Sequence, residues 1–165
     1  MSAAERDDEP VTVVLTVNGE ARTVSMPVSR TLLDALRDDV GLPGSKTCCA
    51  EGECGACAVF LDGKVVSSCL VLGVEAEGHE VTTIEGLSSE GLTDLQEEFL
   101  KAGAVQCGFC IPGQVMAAEF LLRCNHSPDQ AEIREGMAGN LCRCAGYERI
   151  VAAVQATAAR RGGAQ

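Results

Sequence analysis

Residues 49–57 read Cys49-Ala50-Glu51-Gly52-Glu53-Cys54-Gly55-Ala56-Cys57, and Cys69 follows a short way on. The spacing is C-x4-C-x2-C with a distant fourth thiol. A loop of this kind turns three thiolates to one side, and the fourth has to arrive from another segment. Gly52 and Gly55 let the backbone take positive φ and curl tightly. Amides exposed by that curl can point at negatively charged atoms held in the loop. Ala56 and Ala58 are small enough to leave the approach open.

This is the spacing of the plant-type [2Fe–2S] loop, in which four thiolates hold two sulfide-bridged irons. A structural zinc site and a disulfide loop are the alternatives. Zinc sites usually come as two short cysteine pairs, not as a four-residue gap followed by a two-residue gap. The same spacing selects Cys49 over its neighbour Cys48, which would lengthen the first gap to five.

A second set lies in the other half of the chain. Cys107-Gly108-Phe109-Cys110 stands just before one apolar helical pattern, and Cys142-Arg143-Cys144 just before another. Turns that begin helices expose unpaired amides, and the helix dipole there favours negative charge. If the helices pair symmetrically, the two turns can face each other and supply four thiolates. Taken alone, C-x2-C with a distant C-x-C fits a four-cysteine zinc site as well as a second, buried [2Fe–2S] cluster. Beside the first loop, the cluster is the better reading.

Composition narrows the class. The chain has 165 residues, room for one large domain or two small ones. Met1 to Pro10 holds no apolar run, so no secretory leader is expected, and no stretch approaches a membrane span. A cytoplasmic location follows as the expectation, and in that compartment dense cysteine reads as metal binding. The net charge of -11 disfavours nucleic acid as a partner. An acidic surface could steer docking to a basic electron-transfer partner, or simply keep the protein soluble. Aromatic residues make up 3% and there is no Trp, so the core must be aliphatic. Two small cores, each tied by a bound metal centre, would suit such a composition.

The periodicities predict an α+β chain in two domains. Residues 1–9 read as a disordered tail and 161–165 as a frayed one. In 10–86, Val11 to Val17 and Ala21 to Val28 are strands joined at Asn18-Gly19, a strong hairpin signal. Thr31 caps a helix lined by Leu32, Leu33, Leu36 and Val40 and ended by Gly41. Ala58 to Leu61 and Lys64 to Ser67 form a second hairpin around Asp62-Gly63, and Val81 to Ile84 a last strand. In 87–160, Leu92, Leu95 and Phe99 mark one helix, and Val115, Met116, Phe120 and Leu122 a second, preceded by Pro112-Gly113. Ser127-Pro128-Asp129-Gln130 predicts a third start, with Ser127 as cap and Gln130 at the capping-box position. A fourth helix runs from Tyr147 to Ala159, and together the four make a small bundle.

Three stretches carry a resemblance. Glu51 to Cys57, Gln106-Cys107-Gly108-Phe109-Cys110-Ile111-Pro112-Gly113 and Gly139-Asn140-Leu141-Cys142-Arg143-Cys144-Ala145-Gly146-Tyr147 resemble the signatures of the xanthine oxidase/molybdenum hydroxylase family, in order and spacing over about residues 10 to 157. The chain is similar to the separate small iron–sulfur subunit of the bacterial enzymes. The family usually has Thr where this chain has Ile111 and Ala145, which bears on local hydrogen bonds rather than on the cysteines.

The resemblance implies a plant-ferredoxin-like β-grasp domain followed by a four-helix-bundle [2Fe–2S] domain. It implies a heterotrimer, or a dimer of heterotrimers, with a large molybdenum-pterin subunit and a medium FAD subunit. In such an oxidoreductase the substrate is hydroxylated at molybdenum with oxygen from water, and single electrons leave through the small subunit. The Cys107, Cys110, Cys142 and Cys144 cluster would lie next to the pterin, with Gln106 hydrogen-bonding the pterin. The Cys49, Cys54, Cys57 and Cys69 cluster would lie farther out and serve FAD. The small chain would hold no substrate pocket and no catalytic residue. The implied substrate is an N-heterocycle, such as a purine, or an aldehyde, with carbon monoxide as the alternative.

The remaining groups carry less. Cys124, at the end of an apolar helix, reads as a core or semi-buried thiol. His79 and His126 read as surface residues. Arg143 could tune a cluster, contact the large subunit or be solvated. No hydrolytic triad, paired-carboxylate constellation or phosphate-binding glycine loop is present. Two other readings compete: a zinc or redox-sensing module, and an independent two-cluster ferredoxin that works without a partner.

Overall fold

The computed structural model describes residues 9–163; of the tails expected at 1–9 and 161–165, residues 1–8 and 164–165 lie outside it. Two hairpins build the first half. β1 (Pro10–Val17) and β2 (Glu20–Pro27) pair antiparallel, with Val13 opposite Val24 and Val17 opposite Glu20. β3 (Ala58–Leu61) and β4 (Lys64–Ser67) pair in the same way. Asn18 and Gly19 both take positive φ, as do Asp62 and Gly63. That backbone matches the twist of the flanking strands and closes each two-residue turn. β5 (Glu80–Thr82) lies between the hairpins, parallel to β1 and antiparallel to β3, so the sheet order is β2-β1-β5-β3-β4. The expected last strand is shorter than 81–84, because Ile84 already belongs to the short helix α2 (Ile84–Leu87).

α1 crosses one sheet face. It opens as an α-helical turn (Leu32–Asp34) and continues as a π-helical turn (Ala35–Asp39). Thr31 Oγ1 accepts the Asp34 amide at 3.1 Å, the expected cap. Leu32, Ala35 and Leu36 pack onto Val13, Leu15, Val24, Met26, Val59 and Val81. Leu33 turns away from that core toward Cys57 and Cys69.

The second half is helical: α3 (Asp94–Lys101), α4 (Ile111–Cys124), α5 (Gln130–Gly136) and α6 (Tyr147–Gly162). Leu95, Phe99, Val115, Ala118, Leu122, Ile133, Ile150 and Val154 form its core. Pro112 and Gly113 lie inside the first turn of α4 rather than before it; that turn's amides have no helical partner, so proline is tolerated. The α5 start is also displaced. Asp129, not Ser127, is the cap: its carboxylate accepts from Ala131 and Glu132, and Glu132 reaches back to the Asp129 amide. A charged carboxylate is the stronger acceptor, and it moves the capping box two residues on from the expected one. α6 includes Arg161 and Gly162, where a frayed tail was expected, because Arg161 pairs with Asp94 at 2.7 Å and Glu119 at 2.8 Å.

The two halves share an apolar seam. β3 is covered on both faces: Val59 enters the core under α1, while Ala58 and Phe60 pack on Met116 and Phe120 of α4. Burial on both sides is why Ala58 to Leu61 reads as an unbroken apolar run rather than an alternating one.

Candidate metal centres

The loop from Cys49 to Cys57 connects α1 to β3. Gly52 and Gly55 take positive φ, as does Ala50. The curl turns the Glu51 amide toward Cys49 Sγ at 3.5 Å. Cys69 arrives from the other direction, on the helical turn Ser68–Leu70 that follows β4. Ser68, which sequence reasoning missed, joins the two segments: its buried hydroxyl donates to the Cys57 carbonyl at 2.7 Å. Its only signal was its place beside a cysteine. Cys57 and Cys69 are buried under Leu33, whereas Cys49 and Cys54 stand at the half-buried rim.

The environments of these thiols differ accordingly. The Glu51 amide, assisted by Cys54, lowers Cys49 to about 7. Burial, then the neighbouring Cys57 thiol, pushes Cys69 up to about 11. The neighbour relations link Cys49 with Cys54, and Cys69 with Cys57 and Cys49. The four residues of the expected first set are therefore together.

The second set also assembles. Cys107 and Cys110 precede α4, and Cys142 and Cys144 precede α6. Cys110 adjoins Cys142, and Cys107 adjoins Cys144. Burial, then the Cys142 thiol, pushes Cys110 up to about 12. Burial also acts upward on Cys142, but amides including that of Gly146 outweigh it and its pKa is lowered. Tyr147, part of the motif but given no role from the sequence, accepts the Cys142 amide on its hydroxyl at 2.8 Å. Gln106 lies on the same rim: a Cβ on Gly146 would come 3.5 Å from Gln106 Nε2 and 3.8 Å from Cys142 Sγ. The set is less enclosed than expected, since Cys107 is exposed and Cys110 and Cys144 are half-buried.

A cavity of about 500 Å³ lies between the sets, with Cys48 and Cys54 on one side and Cys107, Cys110 and Cys142 on the other. Cys48 itself is exposed. Cys124 is exposed as well, at the last turn of α4, and not the core or semi-buried thiol expected. His79 is exposed and pairs with Asp62 at 2.6 Å, away from both sets. Among the described residues, no three His, Cys, Asp or Glu side chains converge tightly enough to hold a single metal ion.

A β-sheet domain with one such cysteine set, joined to a helical domain with another, defines a two-cluster iron–sulfur electron carrier. Two family models match in series: a 2Fe-2S iron-sulfur cluster binding domain over residues 15–88 and a [2Fe-2S] binding domain over 83–155. The chain is 47% identical over 146 residues to the nicotinate dehydrogenase small FeS subunit of Eubacterium barkeri, covering 88% of this chain and 93% of that one. It is 44% identical over 146 residues to the xanthine dehydrogenase iron-sulfur-binding subunit of Escherichia coli, covering 87% and 91%. The crystal structure of quinoline 2-oxidoreductase from Pseudomonas putida 86 contains a chain that superposes with a TM-score of 0.88 at 45% identity, covering 93% of this chain and 98% of that one. The chain belongs to the small iron–sulfur subunits of the xanthine oxidase/molybdenum hydroxylase family, and it carries two [2Fe–2S] clusters. It is an electron-transfer subunit of an oxidoreductase.

Proposed function

We propose that Cys49, Cys54, Cys57 and Cys69 hold one cluster, and Cys107, Cys110, Cys142 and Cys144 the other. The observation that carries this reading is the gathering of eight cysteines into two sets on facing loops of one fold. Each cluster, when bound, takes up and returns a single electron. The chain's own part is to hold the cradles, supply amides to the sulfurs and exclude water. Glu51 N–H does so for the first set and Gly146 N–H for Cys142, while the Tyr147 hydroxyl accepts the Cys142 amide and holds that turn.

The second set faces a large partner subunit that holds the molybdenum-pterin group, with Gln106 donating to the pterin. Phe109, Leu141 and Tyr147 support this, because these apolar side chains stand exposed around the second set. Exposed apolar groups clustered at a functional rim mark interaction surfaces. The first set serves a medium FAD subunit, and the three chains form a heterotrimer or a dimer of heterotrimers in the cytoplasm. Among the described residues no helix is long and apolar enough to cross a membrane. The substrate, bound in the large subunit, is an N-heterocycle or an aldehyde; the nicotinate and quinoline in the names of its relatives support the first.

The test is the EPR spectrum of the reduced native protein, with iron and acid-labile sulfide quantified on the same sample. Two distinct [2Fe–2S] signals, with iron for both and co-purified molybdenum and flavin chains, are the expected result. Zinc in place of iron in the helical half, or a lone monomer in every preparation, would overturn the reading.

A further inference from the structure

We infer that Asn140 is a positioning residue for electron exchange between the two cysteine sets, and that the link it maintains is the hydrogen bond from the Leu141 amide to the Cys54 carbonyl. The inference rests on the two-cluster reading above and concerns how this chain's own residues join the two sites.

The geometry is a three-part clamp. Asn140 is 7% exposed and stands one residue before Leu141 and two before Cys142. Its Nδ2 donates to the Gly55 carbonyl at 3.1 Å. The next residue donates its backbone amide to the Cys54 carbonyl at 3.0 Å. From the other side, Gln114 of α4, 1% exposed, donates its Nε2 to the Asn140 carbonyl at 2.9 Å. Adjacent donors in the helical domain thus meet adjacent acceptors in the ferredoxin-like loop, and Gln114 fixes the donor segment to α4. Glycine at 55 is required for this approach: a Cβ there would overlap Asn140 Nδ2 and come 2.6 Å from the Gly139 carbonyl oxygen.

The clamp has an electronic consequence. Cys54 belongs to the first set and Cys142 to the second. Between their thiol sulfurs runs a continuous path: the Cys54 backbone to its carbonyl, one hydrogen bond, then the Leu141–Cys142 peptide. Coupling falls off far less through covalent and hydrogen bonds than across a gap. A segment held by Asn140 keeps that single non-covalent step short.

The experiment compares wild-type holoprotein with Asn140→Asp, iron and sulfide being quantified in both. The carboxylate cannot donate to Gly55 and repels its carbonyl. The readout is electron exchange between the two centres, because any through-space splitting of their spins follows their separation and persists in the variant. Electron equilibration between them after photoreduction is expected to slow about tenfold, equivalent to about 1.4 kcal/mol on the barrier. Individual g values and iron content stay as in wild type. If Asn140→Asp loads incompletely, Asn140→Ser, neutral but too short to reach Gly55, is read in its place. An unchanged rate in a fully loaded variant would overturn the inference and leave Asn140 as a buried packing residue. A wild-type protein without two iron–sulfur signals would overturn the two-cluster reading itself, and that is seen before any variant is compared.

Discussion

Gly113 packs directly against the carbonyl of Gly55, so that a Cβ at residue 113 would overlap the carbonyl oxygen and come 3.1 Å from its carbon. This contact lets the first turn of α4 rest on the cysteine loop of the other domain. Alanine in a helix is favoured over glycine by about 1 kcal/mol. Overpacking costs about 1–3 kcal/mol, and here the obstacle is backbone, which cannot rotate away. Gly113→Ala is therefore expected to destabilise the holoprotein by up to about 2 kcal/mol, read as a lower midpoint in denaturant unfolding. A raised midpoint would show that the two domains separate at no cost.

Phe60 is the main apolar anchor between the domains. It is 1% exposed, its ring centroid lies 6.4 Å from that of Phe120, and the Arg123 guanidinium carbon lies 4.7 Å above it. Phe60→Ala is expected to cost about 3–5 kcal/mol, through lost burial and the cavity left at the seam. Val14→Ala, on the exposed face of β1, is expected to stay within about 0.5 kcal/mol of wild type. Equal midpoints for the two variants would contradict this account of the seam.

Asp94 makes the helical half acid-sensitive. The Arg161 guanidinium beside it holds its carboxyl below the ordinary carboxylate value. A carboxyl whose folded pKa is depressed contributes stability that is present above the unfolded value, about 3.9, and is lost as pH falls through the folded value. The pair is partly exposed and screened, so the contribution at neutral pH is about 0.5–1 kcal/mol. Thermal unfolding of Asp94→Asn is expected to show a lower Tm than wild type at pH 7. The two should converge as the pH falls through the unfolded value and on through the lower folded one. A constant difference across that range would remove Asp94 from the acid response.

Cluster assembly is expected to improve with rising pH. Thiols bind iron as thiolates, so loading releases protons. Burial keeps Cys69 near 11 and Cys110 near 12 in the free protein. Both stand above ambient pH, so reconstitution of the folded, iron-free chain should rise steadily between about pH 7 and 9. Iron and sulfide incorporated per chain measure it; a maximum near pH 6 would contradict these environments.

Adjacent cysteines provide a sharper test of the first cradle. Cys49 Sγ takes the Glu51 amide, whereas Cys48 is exposed and lines the cavity shared with the second set. Cys49→Ser is expected to remove the first EPR signal and about half the iron. Cys48→Ser and Cys124→Ser are expected to keep both signals. Loss of the first signal in Cys48→Ser, with retention in Cys49→Ser, would exchange the two roles.

Much of this protein was legible in the chain itself, where the determinants are local. Asn18-Gly19 and Asp62-Gly63 announced both hairpins because few dipeptides accept two successive positive φ values. Thr31 announced the start of α1 because its hydroxyl caps the amide three residues on. The cysteine spacings picked out the two sets that the fold gathers, since thiols that converge from one loop must follow its curl. Local reading failed where acceptors compete. Asp129 displaced Ser127 as the α5 cap because a carboxylate with Glu132 behind it satisfies more amides. Arg161 extended α6 because its partners, Asp94 and Glu119, are distant in sequence.

Read alone, the sequence determined which residues could hold metal and what each domain is built from. Spacing, turn chemistry and helix periodicity depend on near neighbours, and near neighbours are visible in a string. Only the tertiary structure decided how the cradles meet. Asn140 and Gly55 stand 85 residues apart, and Leu141 donates to Cys54 across a similar separation. No pattern announces such a pair, because a buried amide finds its acceptor only after two cores have formed and docked.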